Sequence, residues 1–290
     1  MRVAVTGATG TIGRAVVREL GARGHEAVAV SRNPASAGME AVSWDDLDLS
    51  GFDGVIHLAG ERIDQRWSDD AKKRIRESRE LGTRRVVDAL RAAEPRPRVL
   101  VSQSAEGIYR RGPEPRSEDG AHDSGFLAEV VEAWEREALA AEEEGVRVAI
   151  ARTGVVLSAE GGALAKMMLP FKLGVGGPVA GGSQPFPWIL LDDAAGALVF
   201  LLETDAARGP VNVVAPERID NKAFTKALGR VLHRPTVMPV PTLAMKLLYG
   251  EMARMVVEGS NPDPSKLESL GYRFRHPRVA GALADALERA

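Results

Sequence analysis

The chain has 290 residues, and its 38 Lys and Arg against 40 Asp and Glu leave a net charge of −2. That length buries a full core and fits one large domain, or one domain with a smaller appendage. The charge balance offers no general attraction to nucleic acid or to an anionic membrane, and the absence of cysteine excludes disulfides, thiolate catalysis and Cys-ligated metals.

In chain order, short β-branched runs alternate with amphipathic segments. "RVAVTG" (Arg2–Gly7), "EAVAVS" (Glu26–Ser31), "GVIHLAG" (Gly54–Gly60), "RVLVSQS" (Arg98–Ser104) and "VRVAIART" (Val146–Thr153) have strand length. They are nearly continuously apolar, as strands buried on both faces are. Helical periodicity separates them over Ile12–Arg23, Ala71–Ala93 and Phe126–Glu144. This order predicts an α/β protein with a doubly wound parallel sheet. After Thr153 the texture changes: Gly161–Gly182 is glycine-rich, and a helix capped near Asp220 follows. The expected division is a nucleotide-binding domain over 1–155, with further core elements interleaved to about 215. Residues 156–290 then form mainly a smaller, substrate-side α/β region with a distinctive C-terminal segment. No apolar run approaches the ~20 residues of a membrane span. "MRVAVTGATG" enters a strand with no leader-like stretch before it. The expectation is a cytoplasmic protein with no membrane and no nucleic-acid partner.

"VTGATGTIG" sets Gly7, Gly10 and Gly13 between the first strand and the first helix. One glycine permits a sharp reversal, a second admits a pyrophosphate close to the backbone, and a third lets helix and strand pack tightly. The helix opening there offers free N–H groups and a positive dipole end to phosphates. The second strand then selects the cofactor. An NAD site places an acid at its tip to hold the ribose 2′-hydroxyl, whereas this chain has Ser31 and Arg32 in "VAVSRNP". A hydroxyl and a guanidinium suit a 2′-phosphate. Arg14, just past the turn, adds a second cation. The expected cofactor is NADP(H), preferred over NAD(H).

With these pieces placed, the chain resembles the extended short-chain dehydrogenase/reductase superfamily. Within it, the chain is similar to the atypical "epimerase family protein" branch, also called SulA-like nucleoside-diphosphate-sugar epimerases. The resemblance runs through "VTGATGTIG", "VIHLAG", "RWSDDAKKRIRESRELGTRRVVDAL", "FLAEVVEAWE", "RTGVVLSAEGGAL", "GGPVAGGSQPFPWILLDDAAGA" and "NPDPSKLESLGYRFRHP". It implies a Rossmann domain, a small-molecule substrate held by a C-terminal region, and room for a helix-paired homodimer. It also implies cofactor contacts at Thr9, Thr11, Ile12, Leu58, Ala59, Gly60 and Arg152, beside the three glycines, Ser31 and Arg32.

The superfamily's chemistry uses a Ser, a Tyr and a Lys, the Tyr acting as general acid/base. Ser104, or else Ser102, matches the Ser. The expected YxxxK positions hold Phe126 and Val130, so that proton relay is not carried over. The replacements the sequence offers are Glu106 and Tyr109, each with an ordinary alternative as loop or packing residue. His122 and the Arg110–Arg111 pair lie on the same stretch. Gln184 and Trp188 are the candidate substrate contacts, with core packing the alternative for Trp188. Asp192 and Asp193 have no partners at ligand spacing, so no metal site is expected. Two functions compete: an NADP(H)-dependent oxidoreductase or epimerase with a non-standard acid/base, and an NADP(H)-binding sensor with little or no catalysis.

Overall fold

The computed structural model describes residues 1–288. The elements in chain order are β1 (Arg2–Thr6), α1 (Thr11–Ala22), β2 (Glu26–Ser31), β3 (Ala41–Ser43), β4 (Gly54–His57), α2 (Asp69–Ala92), β5 (Val99–Ala105), β6 (Pro115–Arg116), α3 (Phe126–Leu139) and β7 (Arg147–Thr153). There follow β8 (Val155–Leu157), α4 (Gly162–Lys172), β9 (Trp188–Leu190), α5 (Leu191–Glu203), β10 (Gly209–Val213), α6 (Asn221–Val231), α7 (Thr242–Tyr249), α8 (Ala253–Glu258), β11 (Asn261–Pro262), α9 (Ser265–Ser269) and α10 (Val279–Glu288).

Seven strands form one parallel sheet in the order β10-β7-β5-β4-β1-β2-β3. Its central strands are apolar on both faces because each face is covered by helices. Val3, Val5 and Val101 face α1 and α5, where Val16, Leu20, Leu198 and Leu201 complete one core. Ala4, Val28, Leu100 and Ile150 face α2 and α3, meeting Val86, Leu90 and Ala138. The long helix α2 starts because Ser68 accepts a hydrogen bond from the Ala71 N–H and Asp69 and Asp70 complement its dipole. The third predicted helix is shorter than its periodicity suggested: α3 ends at Leu139 and one 3₁₀ stretch, Ala140–Glu144, completes the segment.

The strand order reverses direction between β1 and β4, and ligands of open α/β sheets bind at such a switch point. A third core lies outside the sheet, where Leu164, Phe171, Phe224, Leu228 and Leu283 bring α4, α6 and α10 together. The tail is fastened to α5 by one buried carboxylate. Asp193 accepts from the backbone N–H groups of Arg275 (2.7 Å) and His276 (2.9 Å) and from the Tyr272 hydroxyl (3.2 Å). Burial and the Asp193 charge push the Tyr272 hydroxyl well above the usual phenol range.

Candidate functional site

Two features lie at the C-terminal end of the sheet: the glycine turn after β1 and the polar row at the ends of β5, β7 and β10.

The turn is built tightly. Gly7 has φ +68°, a left-handed conformation that disfavours a side chain. A Cβ at Gly13 would stand 2.1 Å from the Gly7 carbonyl oxygen, so α1 packs against the turn only because Gly13 has none. Gly10 is the N-cap of α1 and has no capping side chain, which leaves the first N–H groups of the helix directed out over Thr9, Thr11 and Ile12. A Cβ at Gly7 would lie 3.1 Å from the Ala59 nitrogen, so the Leu58–Gly60 stretch after β4 closes the far side of the same cradle.

Thr6 and His57 hold that stretch in place, and sequence reasoning missed both. They are register partners on β1 and β4. The Thr6 hydroxyl accepts the N–H groups of Leu58 and Ala59, both at 3.0 Å, and donates to His57 Nδ1 at 2.7 Å. With Nδ1 accepting, the Nε2–H donates to the Thr83 hydroxyl on α2 at 3.1 Å. Burial, aided by the Arg79 charge, holds His57 down at about 4, so the ring is neutral. Arg79 lies over the Trp134 ring at 5.0 Å and donates to the Glu61 carbonyl, and burial lowers it to about 10.

At the tip of β2, Ser31 accepts from the Asn33 N–H, while Arg32 is exposed and makes no ion pair among the described residues. Arg14 donates to the Thr9 carbonyl at 2.7 Å, which turns its guanidinium back over the glycine turn.

Ser104, Arg152 and Asn212 are register neighbours on β5, β7 and β10. Glu135, on α3, sits over the row. It accepts from the Ser104 hydroxyl (2.6 Å), Arg152 Nε (2.8 Å) and Arg152 Nη2 (2.7 Å). Arg152 Nη1 donates to the Tyr109 hydroxyl at 2.9 Å, and that hydroxyl donates to Asn212 Oδ1 at 2.6 Å. All five side chains are buried. Burial pushes the Tyr109 hydroxyl up to about 12 despite the Arg152 charge beside it. For Arg152, burial opposes the charge, but the Glu135 contacts outweigh it and raise its basicity. Here Ser104 presents lone pairs and no proton, Tyr109 is fully enclosed, and the guanidinium of Arg152 is committed to Glu135, Tyr109 and the Glu118 carbonyl.

Glu106 lies beyond this network. Its carboxylate takes a short hydrogen bond from the Ser260 hydroxyl and one of 3.3 Å from Arg111 Nη1. Arg111 is partly buried and stands 3.6 Å from Asp123, which Arg254 also contacts. Arg111, Asp123 and Arg254 line a cavity of about 510 Å³, whose apolar wall includes Trp67, Phe126, Leu127 and Met255. His122 lies apart, bonded to Glu132 at the surface.

The helix α3 carries no proton relay toward either structure. Phe126 turns to α2, edge-on to Trp67 and under Lys72. Val130 is buried, and the adjacent pair Leu127 and Val131 packs on Ile108 and Tyr109. The first two i,i+4 pairs of this helix, Phe126 with Val130 and Leu127 with Val131, are therefore apolar. Gln184 is also internal, donating to the carbonyls of Val179 and Val256. Trp188 is in the third core with its ring N–H on the Glu217 carbonyl. No cluster of His, Asp or Glu among the described residues has the arrangement of a metal site.

A seven-stranded parallel sheet with this order, and a glycine turn at its switch point, define an extended short-chain dehydrogenase/reductase architecture. A model described as the NAD dependent epimerase/dehydratase family matches residues 3–215, and one described as a domain of unknown function, DUF1731, matches residues 240–286. The chain belongs to that epimerase/dehydratase family. Its relatives include epimerase family protein SDR39U1 from Bos taurus, 37% identical over 99% of this chain and 100% of that protein. Epimerase family protein YfhF from Bacillus subtilis is 35% identical, covering 99% of this chain and 98% of that one. The crystal structure of human epimerase family protein SDR39U1 (isoform 2) with NADPH superposes with a TM-score of 0.93 at 34% identity, each chain covered completely.

Proposed function

We propose that the chain is an NADP(H)-dependent oxidoreductase or epimerase that acts on a small substrate without a Tyr–Lys pair. The observation that carries this reading is the glycine turn at the switch point: Gly7 adopts a left-handed φ of +68°, a Cβ at Gly13 would collide with the backbone of the turn, and α1 opens onto the turn uncapped. Gly7, Thr9, Gly10, Thr11, Ile12 and Gly13 would hold the pyrophosphate, and Leu58, Ala59 and Gly60 the opposite side. Ser31 and Arg32 would take the ribose 2′-phosphate, the guanidinium, which has no ion pair among the described residues, attracting the phosphate that an acid at this tip would repel. The related human protein was crystallised with NADPH, which supports the same cofactor here. When bound, the cofactor supplies hydride transfer. The chain's own residues bind, orient and move protons.

Substrate contacts belong to the cavity of about 510 Å³ rather than to Gln184 and Trp188, which are held inside the fold. Glu106, paired with Arg111 on the cavity wall, is the proposed acid/base. Ser104 orients the site as a hydrogen-bond acceptor, and Tyr109 and Arg152 brace it. One observation favours a second reading, a cofactor-binding sensor: the hydroxyls of Ser104 and Tyr109 are both committed inside a buried network.

Titration of the purified chain with NADPH and NADH, followed by cofactor fluorescence, tests the cofactor assignment. Arg32→Ala is expected to weaken NADPH by about tenfold or more, as loss of a charge-assisted hydrogen bond does, and to leave NADH unchanged. Equal or tighter NADH binding by the parent chain overturns it. A screen for NADPH turnover with carbonyl compounds and nucleotide sugars separates the two readings. Turnover lost in Glu106→Gln supports the enzyme, and binding without turnover across the panel supports the sensor.

A further inference from the structure

Charge is segregated along this chain in a way that its net value of −2 conceals. Residues 161–184 and 221–250 contain no Asp or Glu. They contain Lys166, Lys172, Lys222, Lys226, Arg230, Arg234 and Lys246. Only Lys166 has an acidic partner among the described residues, Asp64 at 2.7 Å.

The fold lays these two stretches side by side. The Ala180 N–H donates to the Val240 carbonyl (3.0 Å) and the Val240 N–H to the Pro178 carbonyl (2.9 Å). Arg234 Nε reaches the Lys172 carbonyl at 3.4 Å. The same region holds the strongly exposed large apolar side chains of the described residues, apart from Met1 and Leu81. Leu169 on α4 and Leu173 just past its end flank Lys172, and Leu243, Leu247 and Leu248 surround Lys246 on α7. Their exposures run from 62% for Leu169 to 69% for Leu173 and Leu247, and Val237 between the two helices reaches 78%. Such a concentration of exposed apolar area marks a binding surface.

We propose that this face docks on an anionic lipid surface. Projecting leucines interleaved with lysine and arginine are the composition of an interfacial contact, the apolar groups entering the headgroup boundary and the cations meeting anionic headgroups. A second copy of the chain does not fit, because the same unpaired cations would face each other. A partner that buries knobs in a groove does not fit either, because these side chains stand out from the surface. No helix among the described residues is long and apolar enough to cross a membrane, so the contact is peripheral. Lys246 and Gly250, at the far end of α7, also line the cavity, so docking brings the cavity mouth close to the lipid.

Co-sedimentation of the full chain with phosphatidylcholine vesicles, with and without phosphatidylserine, tests this. Binding is expected only to the phosphatidylserine vesicles and is expected to fall as salt is raised. The double variant Leu243→Glu/Leu247→Glu and the separate double variant Lys172→Glu/Lys246→Glu should each weaken it by about tenfold or more, since each removes one of the two attractions. All four positions are exposed, so unchanged melting curves for both variants establish that the loss is not unfolding. Four results overturn the proposal: no binding, equal binding to both vesicle types, variants that bind as the parent does, or capture by polyglutamate without vesicle binding.

Discussion

The Ser104 hydroxyl donates to Glu135 over 2.6 Å, and the same carboxylate is held by two nitrogens of Arg152. The Ser is thereby fixed as an acceptor, and the ion pair beneath it is fully enclosed. Removing the carboxylate charge in Glu135→Gln leaves Arg152 buried without its counterion and is expected to destabilise the fold by about 3–5 kcal/mol. Ser104→Ala leaves that pair intact and should cost only about 1–3 kcal/mol. Urea denaturation of both variants checks the order. A Ser104→Ala loss equal to that of Glu135→Gln would contradict the arrangement.

The glycine turn gives a contrast within one helix. At Gly13 a Cβ would meet the Gly7 oxygen at 2.1 Å, whereas at Gly21 nothing lies within 4 Å. Gly13→Ala is expected to lower stability by about 1–3 kcal/mol or more, as overpacking does, and to weaken NADPH binding with it. Gly21→Ala should instead stabilise α1 by about 0.5–1 kcal/mol. Thermal melts and cofactor titration of the two variants measure both effects.

The neutral His57 makes stability depend on pH. Its folded value, about 4, lies below the ordinary 6.5, so the folded state binds fewer protons than the unfolded one between those values. The contribution is fully present above pH 6.5 and is lost as pH falls toward 4, by about 3 kcal/mol in all. Denaturation midpoints across that window should fall with pH in the parent chain. His57→Asn, less stable overall, should show a flatter slope there.

Asp193 organises the C-terminal segment through donors more than 75 residues away in sequence, as the separations of 79 to 83 residues show. Asp193→Ala leaves the part-buried N–H groups of Arg275 and His276 without their acceptor, while the Tyr272 hydroxyl keeps the residue's backbone carbonyl, and should cost about 3 kcal/mol. Hydrogen exchange is expected to quicken at the Arg275 and His276 amides well before the central strands respond. Uniform quickening across the sheet would count against a local anchor.

Much of the architecture was legible in the residues. "RVAVTG" and "GVIHLAG" read as strands because continuous apolar runs suit strands covered on both faces, and β1 and β4 lie adjacent at the switch point. Gly7, Gly10 and Gly13 could be read because backbone approach is a local requirement that only glycine meets. The absence of a Tyr–Lys pair was also visible, since Phe126 and Val130 lie four residues apart on one helix.

The Ser104–Glu135–Arg152–Tyr109–Asn212 network was not legible in the same way. Its hydrogen bonds span up to 103 residues and depend on strand register, which brings Ser104 and Asn212 to either side of Arg152. Tyr109 and Arg152 are therefore interior partners of one another, although Tyr109 is a candidate acid/base by its chemistry and Arg152 a cofactor contact implied by the resemblance. The local covenant between residue type and backbone was determined by the sequence itself: strands, helix caps, the glycine turn and the apolar face of α3. Which polar side chains meet, and hence which can still exchange a proton or meet a ligand, was decided only by the packing of distant strands and helices. Hydrogen bonds and ion pairs act over a few ångströms in space, whatever their separation along the chain.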